Sequence, residues 1–189
     1  MTSAGVPAQE LLWYAIRVRS NFEQVVSAAL RGKGYEEFLP AYRRRQRWSD
    51  RIKEIDAPLF PGYTFCRFDP NHRLPVLTTP GVVSIVGTSQ YPLPVAEAEL
   101  DAVRAILASH QLVGPWPFLR EGEWVTVERG PLAGLEGVLV KFKTQYRLVV
   151  SISLLQRSIS AEVDRDCVRP IVRPVSTPPS PGARPPTRP

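Results

Sequence analysis

Beyond Gln111 the chain reads as one short strand after another. The stretch WVTVERGPLAGLEGVLVKF alternates apolar and polar residues, as do YRLVVSISLL and SISAEV after it. Such alternation is the period of a half-buried strand, and Gly130, Pro131, Gly134 and Gly137 punctuate it as turn residues do. Val and Ile favour strands, and the glycines oppose a helix. Five short strands within residues 120–171 predict a small all-β, SH3-like barrel.

The first half of the chain is built differently. LLWYAIRVR, residues 11–19, is rich in β-formers and predicts a strand. In SNFEQVVSAALRGKG, Phe22, Val25, Val26, Ala29 and Leu30 share one face of a helix, with Ser20 or Asn21 as its N-cap and Gly32 or Gly34 as its stop. Strands are expected over residues 35–42, 63–68 and 82–86. A basic hairpin should turn at Ser49-Asp50, and a last helix should present Leu100, Val103, Ile106 and Leu107 on one face. Strand, helix, several strands, helix is an α+β arrangement, with the helices expected on one face of an antiparallel sheet. The predicted organisation is a flexible N-terminus over residues 1–10, an α+β domain over 11–110 and a linker over 111–119. The barrel over 120–171 and a disordered Pro-rich tail over 172–189 complete it.

Composition excludes whole classes of function. The formal net charge of +6 favours an anionic partner. Cys66 and Cys167 lie far apart in the 189 residues and form no CxxC pair, so neither a disulfide framework nor a zinc site is expected and a reducing compartment is the simpler reading. No stretch approaches the roughly 18 apolar residues of a membrane helix, and the first residues lack a signal-peptide pattern. A cytosolic protein without membrane contact, acting as a monomer, is the expectation. An enzyme needs a nucleophile, an acid-base pair or a metal cluster. His72 and His110 stand alone in the sequence, and Cys66 reads as a small buried hydrophobe. GPLAG lacks the Lys-Ser/Thr ending of a phosphate-binding loop. No catalytic residue, cofactor or metal is expected.

Two motifs converge. GEWVTVERGPLAGLEGVL resembles the KOW motif. WYAIRVRSNFE followed by LFPGYTF resembles the N-terminal domain of the NusG family of transcription elongation factors. The likeness spans roughly residues 11–171 in that family's domain order. Within it, RWSDRIKEIDAPLFPGYTFCRF and SLLQRSISAEVDRD are most similar to the specialised UpxY and RfaH-type paralogues, which act as antiterminators on long operons.

The resemblance implies partners and residues. In that family the rim around FPGY docks on the clamp helices of the RNA polymerase largest subunit. The matching positions here are Leu59, Phe60 and Tyr63, with Trp13 and Tyr14 on the strand beside it. Aromatic anchors suit such a role, because they bring large area at small entropy cost. The competing reading is that all five are core. For Phe60 and Tyr63, flanking the Pro61-Gly62 bend, docking is the favoured expectation. Arg43, Arg44, Arg45, Arg47 and Arg51 in the hairpin, with Trp48 between them and Arg17 and Arg19 on the first strand, are candidates for upstream or non-template DNA. The bland alternative is a charged edge that guards the hairpin against aggregation. For the barrel, the resemblance implies a small-subunit ribosomal protein or the termination factor Rho as partner, through Leu154, Leu155 and Arg157. There the housekeeping members' Phe-Gly pair is replaced by Leu155-Gln156. A permanent barrel is expected over one that converts to a helical hairpin. A KOW protein that binds ribosomal RNA is the rival function; it would have no use for Phe60 and Tyr63 on the surface.

Overall fold

The structure, a computed structural model, describes residues 11–47, 52–88, 90–116, 122–142 and 144–171. The expected N-terminal and Pro-rich tails, Trp48, the hairpin tip and Arg51 lie outside the described residues.

The N-terminal unit runs β1 (Leu12–Val18), α1 (Glu23–Gly32), β2 (Glu36–Phe38), β3 (Ala41–Arg47), β4 (Ile52–Pro58), β5 (Tyr63–Phe68), α2 (Leu74–Leu77), β6 (Val82–Ile85) and α3 (Glu97–Ala108). Four strands form one antiparallel sheet in the order β2-β5-β1-β6. The β3-β4 pair is a separate two-stranded ribbon. It is tied to the body where the Leu59 N–H donates to the Pro40 carbonyl, 2.8 Å away. Proline at position 40 explains why the single strand expected over residues 35–42 is broken: it offers no N–H to a ladder.

The helices do not share one face of the sheet, as the sequence suggested. Side chains alternate along β1, so Tyr14, Ile16 and Val18 point to one side and Trp13 and Ala15 to the other. Val26 and Leu30 of α1 cover the first side together with Cys66 and Phe68. Leu100, Val103 and Ile106 of α3 belong to the cluster on the second, with Phe65. Composition could not show this, because a sheet with both faces apolar reads simply as apolar. The α1 cap also differs. Phe22 occupies the N-cap without a side-chain bond, and Asn21 sits just before it at φ 64°.

The C-terminal unit has the expected five strands: β8 (Glu123–Val127), β9 (Glu136–Phe142), β10 (Gln145–Ile152), β11 (Arg157–Val163) and β12 (Val168–Pro170). A sixth precedes them in the chain. Val113–Trp116, inside the expected linker, is strand β7, paired antiparallel with β11 from Val113–Ala161 to Trp116–Ser158. The order is β12-β8-β9-β10-β11-β7. Gly114 and Pro115 made this stretch look like a connector; on the outer edge of a sheet both are tolerated. Only residues 109–112 therefore separate α3 from the β unit. The two units also share one continuous apolar cluster, from Trp13, Phe60 and Ile106 to Leu148, Val150, Ile152 and Leu155.

Candidate docking and nucleic-acid surface

Leu59, Phe60 and Pro61 lead into a tight turn whose geometry follows from its residues. Gly62 adopts φ 84°, which a glycine reaches without strain, and the Tyr63 N–H donates to the Phe60 carbonyl at 3.0 Å. The buried Glu23 carboxylate, in the first turn of α1, accepts the Gly62 N–H at 2.8 Å. On the other side, the Gly62 carbonyl accepts the Val18 N–H at 2.9 Å. The turn is thus held between a helix and the end of β1. Glu23 escaped the sequence reading, since an acidic residue at a helix start is ordinary for dipole reasons alone.

The five expected docking residues are not gathered on one surface. Leu59 and Phe60 are each 1% exposed, and Phe60 stands edge-on to Phe65 with ring centroids 5.8 Å apart. Trp13 and Tyr14 are also buried, on opposite sides of the sheet, as neighbours in a strand must be. Tyr14 packs on Phe68 at 4.7 Å, within the cluster that α1 covers, away from the turn. Burial first, and then the Asp69 carboxylate, raise the Tyr14 hydroxyl above its ordinary pKa. Trp13 lies under the Arg104 guanidinium at 4.8 Å, and Arg104 also stands over Phe38 at 4.9 Å while bonding Asp101 at 2.6 Å. Trp13 is thus core, as the competing reading had it, and for Phe60 the expectation of an exposed docking residue is corrected: with Leu59 and Tyr14 it closes the core. Tyr63 alone remains half-buried.

The register brings together two groups that sequence kept apart. Arg17, exposed on β1, stands directly opposite Tyr63 on β5, so both project from the same side of the sheet as Trp13 and Phe65. Arg19 is exposed one step beyond, its N–H bound to the Gly81 carbonyl at 2.9 Å. In the ribbon, Arg43 stands opposite Asp56 and Arg45 opposite Glu54, whereas Arg44 stands opposite Ile55. Arg43 and Arg44 are exposed. By register, Arg43 has a carboxylate opposite it and Arg44 an apolar residue, so the Arg44 position is the less neutralised of these two exposed arginines. Arg47 pairs with Ile52 in the backbone register.

At the barrel's candidate loop, residues 153–155 form a single 3-10 turn. Leu154 is half-buried, Leu155 is 9% exposed and Arg157 is exposed. Gln156 closes the turn in the left-handed region at φ 51°, ψ 43°. That conformation costs a residue with a Cβ roughly 1–2 kcal/mol, and Gln156 recovers part through its side-chain bond to the Ser153 carbonyl at 2.9 Å. Gln156→Gly is therefore expected to raise the unfolding free energy by about 0.5 kcal/mol, read by urea denaturation. The same loop touches the N-terminal unit: the Ser153 N–H donates to both oxygens of Glu99 on α3, at 3.2 and 3.3 Å.

Cys66 is fully buried, and burial, then Glu37 and Glu36, push its thiol up to about 12. A thiol held protonated in this way is no nucleophile. No helix of the described residues is long and apolar enough to cross a membrane.

Comparison with known proteins places this geometry in context. Residues 11–104 match the family model described as NusG, transcription termination factor nusG. The Transcription termination/antitermination protein NusG of Escherichia coli (strain K12) is 29% identical over 170 residues, covering 80% of this chain and 92% of that one. Its counterpart from Thermus thermophilus is 27% identical over 176 residues, covering 80% and 94%. Among solved structures, one titled "Domain interaction in Thermotoga maritima NusG" shares the fold with a TM-score of 0.54 at 20% identity, covering 86% of this chain and 98% of that one. Residues 11–104 thus carry the domain of the NusG family of transcription termination/antitermination factors, and relatives of that name align with the chain across both the α+β unit and the KOW-type barrel.

Proposed function

We propose that this protein rides on RNA polymerase during elongation and suppresses pausing or termination by a steric and conformational mechanism. The observation that carries the reading is the pairing of Tyr63 with Arg17 beside the Phe60-Pro61-Gly62 turn, in a chain that carries this family's domain. Tyr63 is the accessible edge of an apolar anchor aimed at the clamp helices. Arg17, Arg19 and the Arg44 side of the β3-β4 ribbon contact upstream or non-template DNA, mainly at phosphates. Leu59 and Phe60 join the contact once the apolar cluster they share with the barrel opens. Leu155-Gln156 in place of an aromatic-glycine pair weakens the barrel's hold on a ribosomal protein or Rho, which favours a specialised operon-associated role.

Single-round transcription on a pausing template tests this directly. The wild-type protein should shorten pauses several-fold, and Tyr63→Ala should lose that effect while keeping most of its stability, because a half-buried side chain contributes less than a core one. Arg44→Glu should weaken retention on the transcribing complex at low salt and flatten its dependence on salt, as the loss of one phosphate contact does. No effect from folded wild-type protein on templates with and without candidate operon leader sequences would overturn the reading and favour an RNA partner. Readthrough confined to one leader supports the specialised role, and readthrough on every template the general one.

A further inference from the structure

We propose that β7 is a releasable strand that sets how far the barrel can move from the N-terminal unit. The inference concerns this chain's own mechanics and holds whether or not polymerase is the partner. Three observations converge on it. The segment 109–112 is the only chain between α3 and β7, and at about 3.5 Å per residue it lets the two ends part by no more than roughly 17 Å. Within it, His110 is held at φ 57°, a left-handed conformation that side chains with a Cβ adopt under constraint. And β7 is a weak strand: it spans only Val113–Trp116, contains Gly114 and Pro115, and occupies the outer edge of its sheet.

While β7 stays paired with β11, the barrel is confined to α3, where β10 packs on the helix and Glu99 holds the Ser153 N–H. Unpairing β7 leaves residues 109–122 between α3 and β8 and lengthens the reach to roughly 50 Å at full extension. It also relaxes His110 and bares the β11 edge. Separation of the units beyond the roughly 17 Å that residues 109–112 span therefore requires loss of the β7-β11 pairing. The Glu99 clasp biases this event towards the closed side.

The test uses the full chain and two readouts, small-angle scattering for the separation of the units and amide hydrogen exchange for β11. Glu99→Lys removes the clasp; the molecule should expand, and the β11 amides that face β7 should exchange roughly five- to ten-fold faster, the scale of one exposed hydrogen bond. Adding Gly114→Val should reverse both changes, since a β-branched residue strengthens the strand and a Cβ at Gly114 meets nothing within 4 Å. Expansion with β11 protection unchanged would overturn the proposal, because the barrel would then move with β7 still attached. Glu99→Lys that leaves both scattering and exchange as in the wild type would overturn it as well. Failure of the transcription assay has no bearing on either readout.

Discussion

Phe60→Ala will lower the unfolding free energy by about 3–5 kcal/mol and the melting temperature by roughly 10 °C or more. The ring is 1% exposed, set edge-on against Phe65, and belongs to the cluster that runs from the β sheet through α3 to the barrel. Truncation removes the transfer energy of a full aromatic and leaves a cavity walled by residues that cannot all collapse into it. An edge-to-face partner loses its contact too. The effect should appear as a lower midpoint in urea at nearly unchanged slope. A melting curve like the wild type's would mean that Phe60 stands in water in solution and that the closed arrangement is a minor state. This outcome also decides how docking is probed. Loss of activity in a Phe60 variant reports instability first, so Tyr63 is the residue whose substitution reads the surface.

Gly81→Ala should cost about 3 kcal/mol, from two independent sources. The residue has φ 95°, where a Cβ adds roughly 1–2 kcal/mol. A Cβ built there would also lie 2.7 Å from the Phe22 ring and 2.9 Å from Val26. Phe22 is partly exposed and can give way, but Val26 is fully buried in the cluster under α1. Forcing those apart adds about 1–2 kcal/mol. Gly81 also presents the carbonyl that receives the Arg19 N–H, so strain at this point should be felt at the end of β1. Urea denaturation gives the total, and hydrogen exchange at Arg19 shows whether β1 frays there. A loss under 1 kcal/mol would mean that β6 shifts away from α1 without resistance.

These two residues mark where sequence was informative and where it was not. The bend at Pro61-Gly62 was legible, because proline and glycine each restrict a backbone dihedral locally and the restriction needs no distant partner. The apolar faces of α1 and α3 were legible for the same reason, since the spacing that makes a face is internal to the helix. The barrel strands followed from alternation and glycine punctuation. What failed depended on who sits opposite whom. Phe60 beside a turn looked exposed, yet the cluster it shares with α3 and the barrel closes over it. Tyr14 and Trp13 are neighbours on β1, so alternation alone sends them to opposite faces of the sheet. The pairing of Tyr63 with Arg17 needed a register, which no local signal gives. β7 hid behind Gly114 and Pro115, whose meaning reverses between a connector and a sheet edge.

The β3-β4 ribbon shares no ladder with either sheet. Its paired residues run from Ala41–Pro58 out to Arg47–Ile52, and nothing in the order of the other strands depends on how many such pairs there are. Residue pairs can be added to or deleted from its outer end without shifting the register of β1 and β5 or the turn at Gly62. Among the described residues, the ribbon is thus an element whose length can change without disturbing either sheet. Exchanging it between relatives would change the charge that this edge presents and leave the register of the body unaltered.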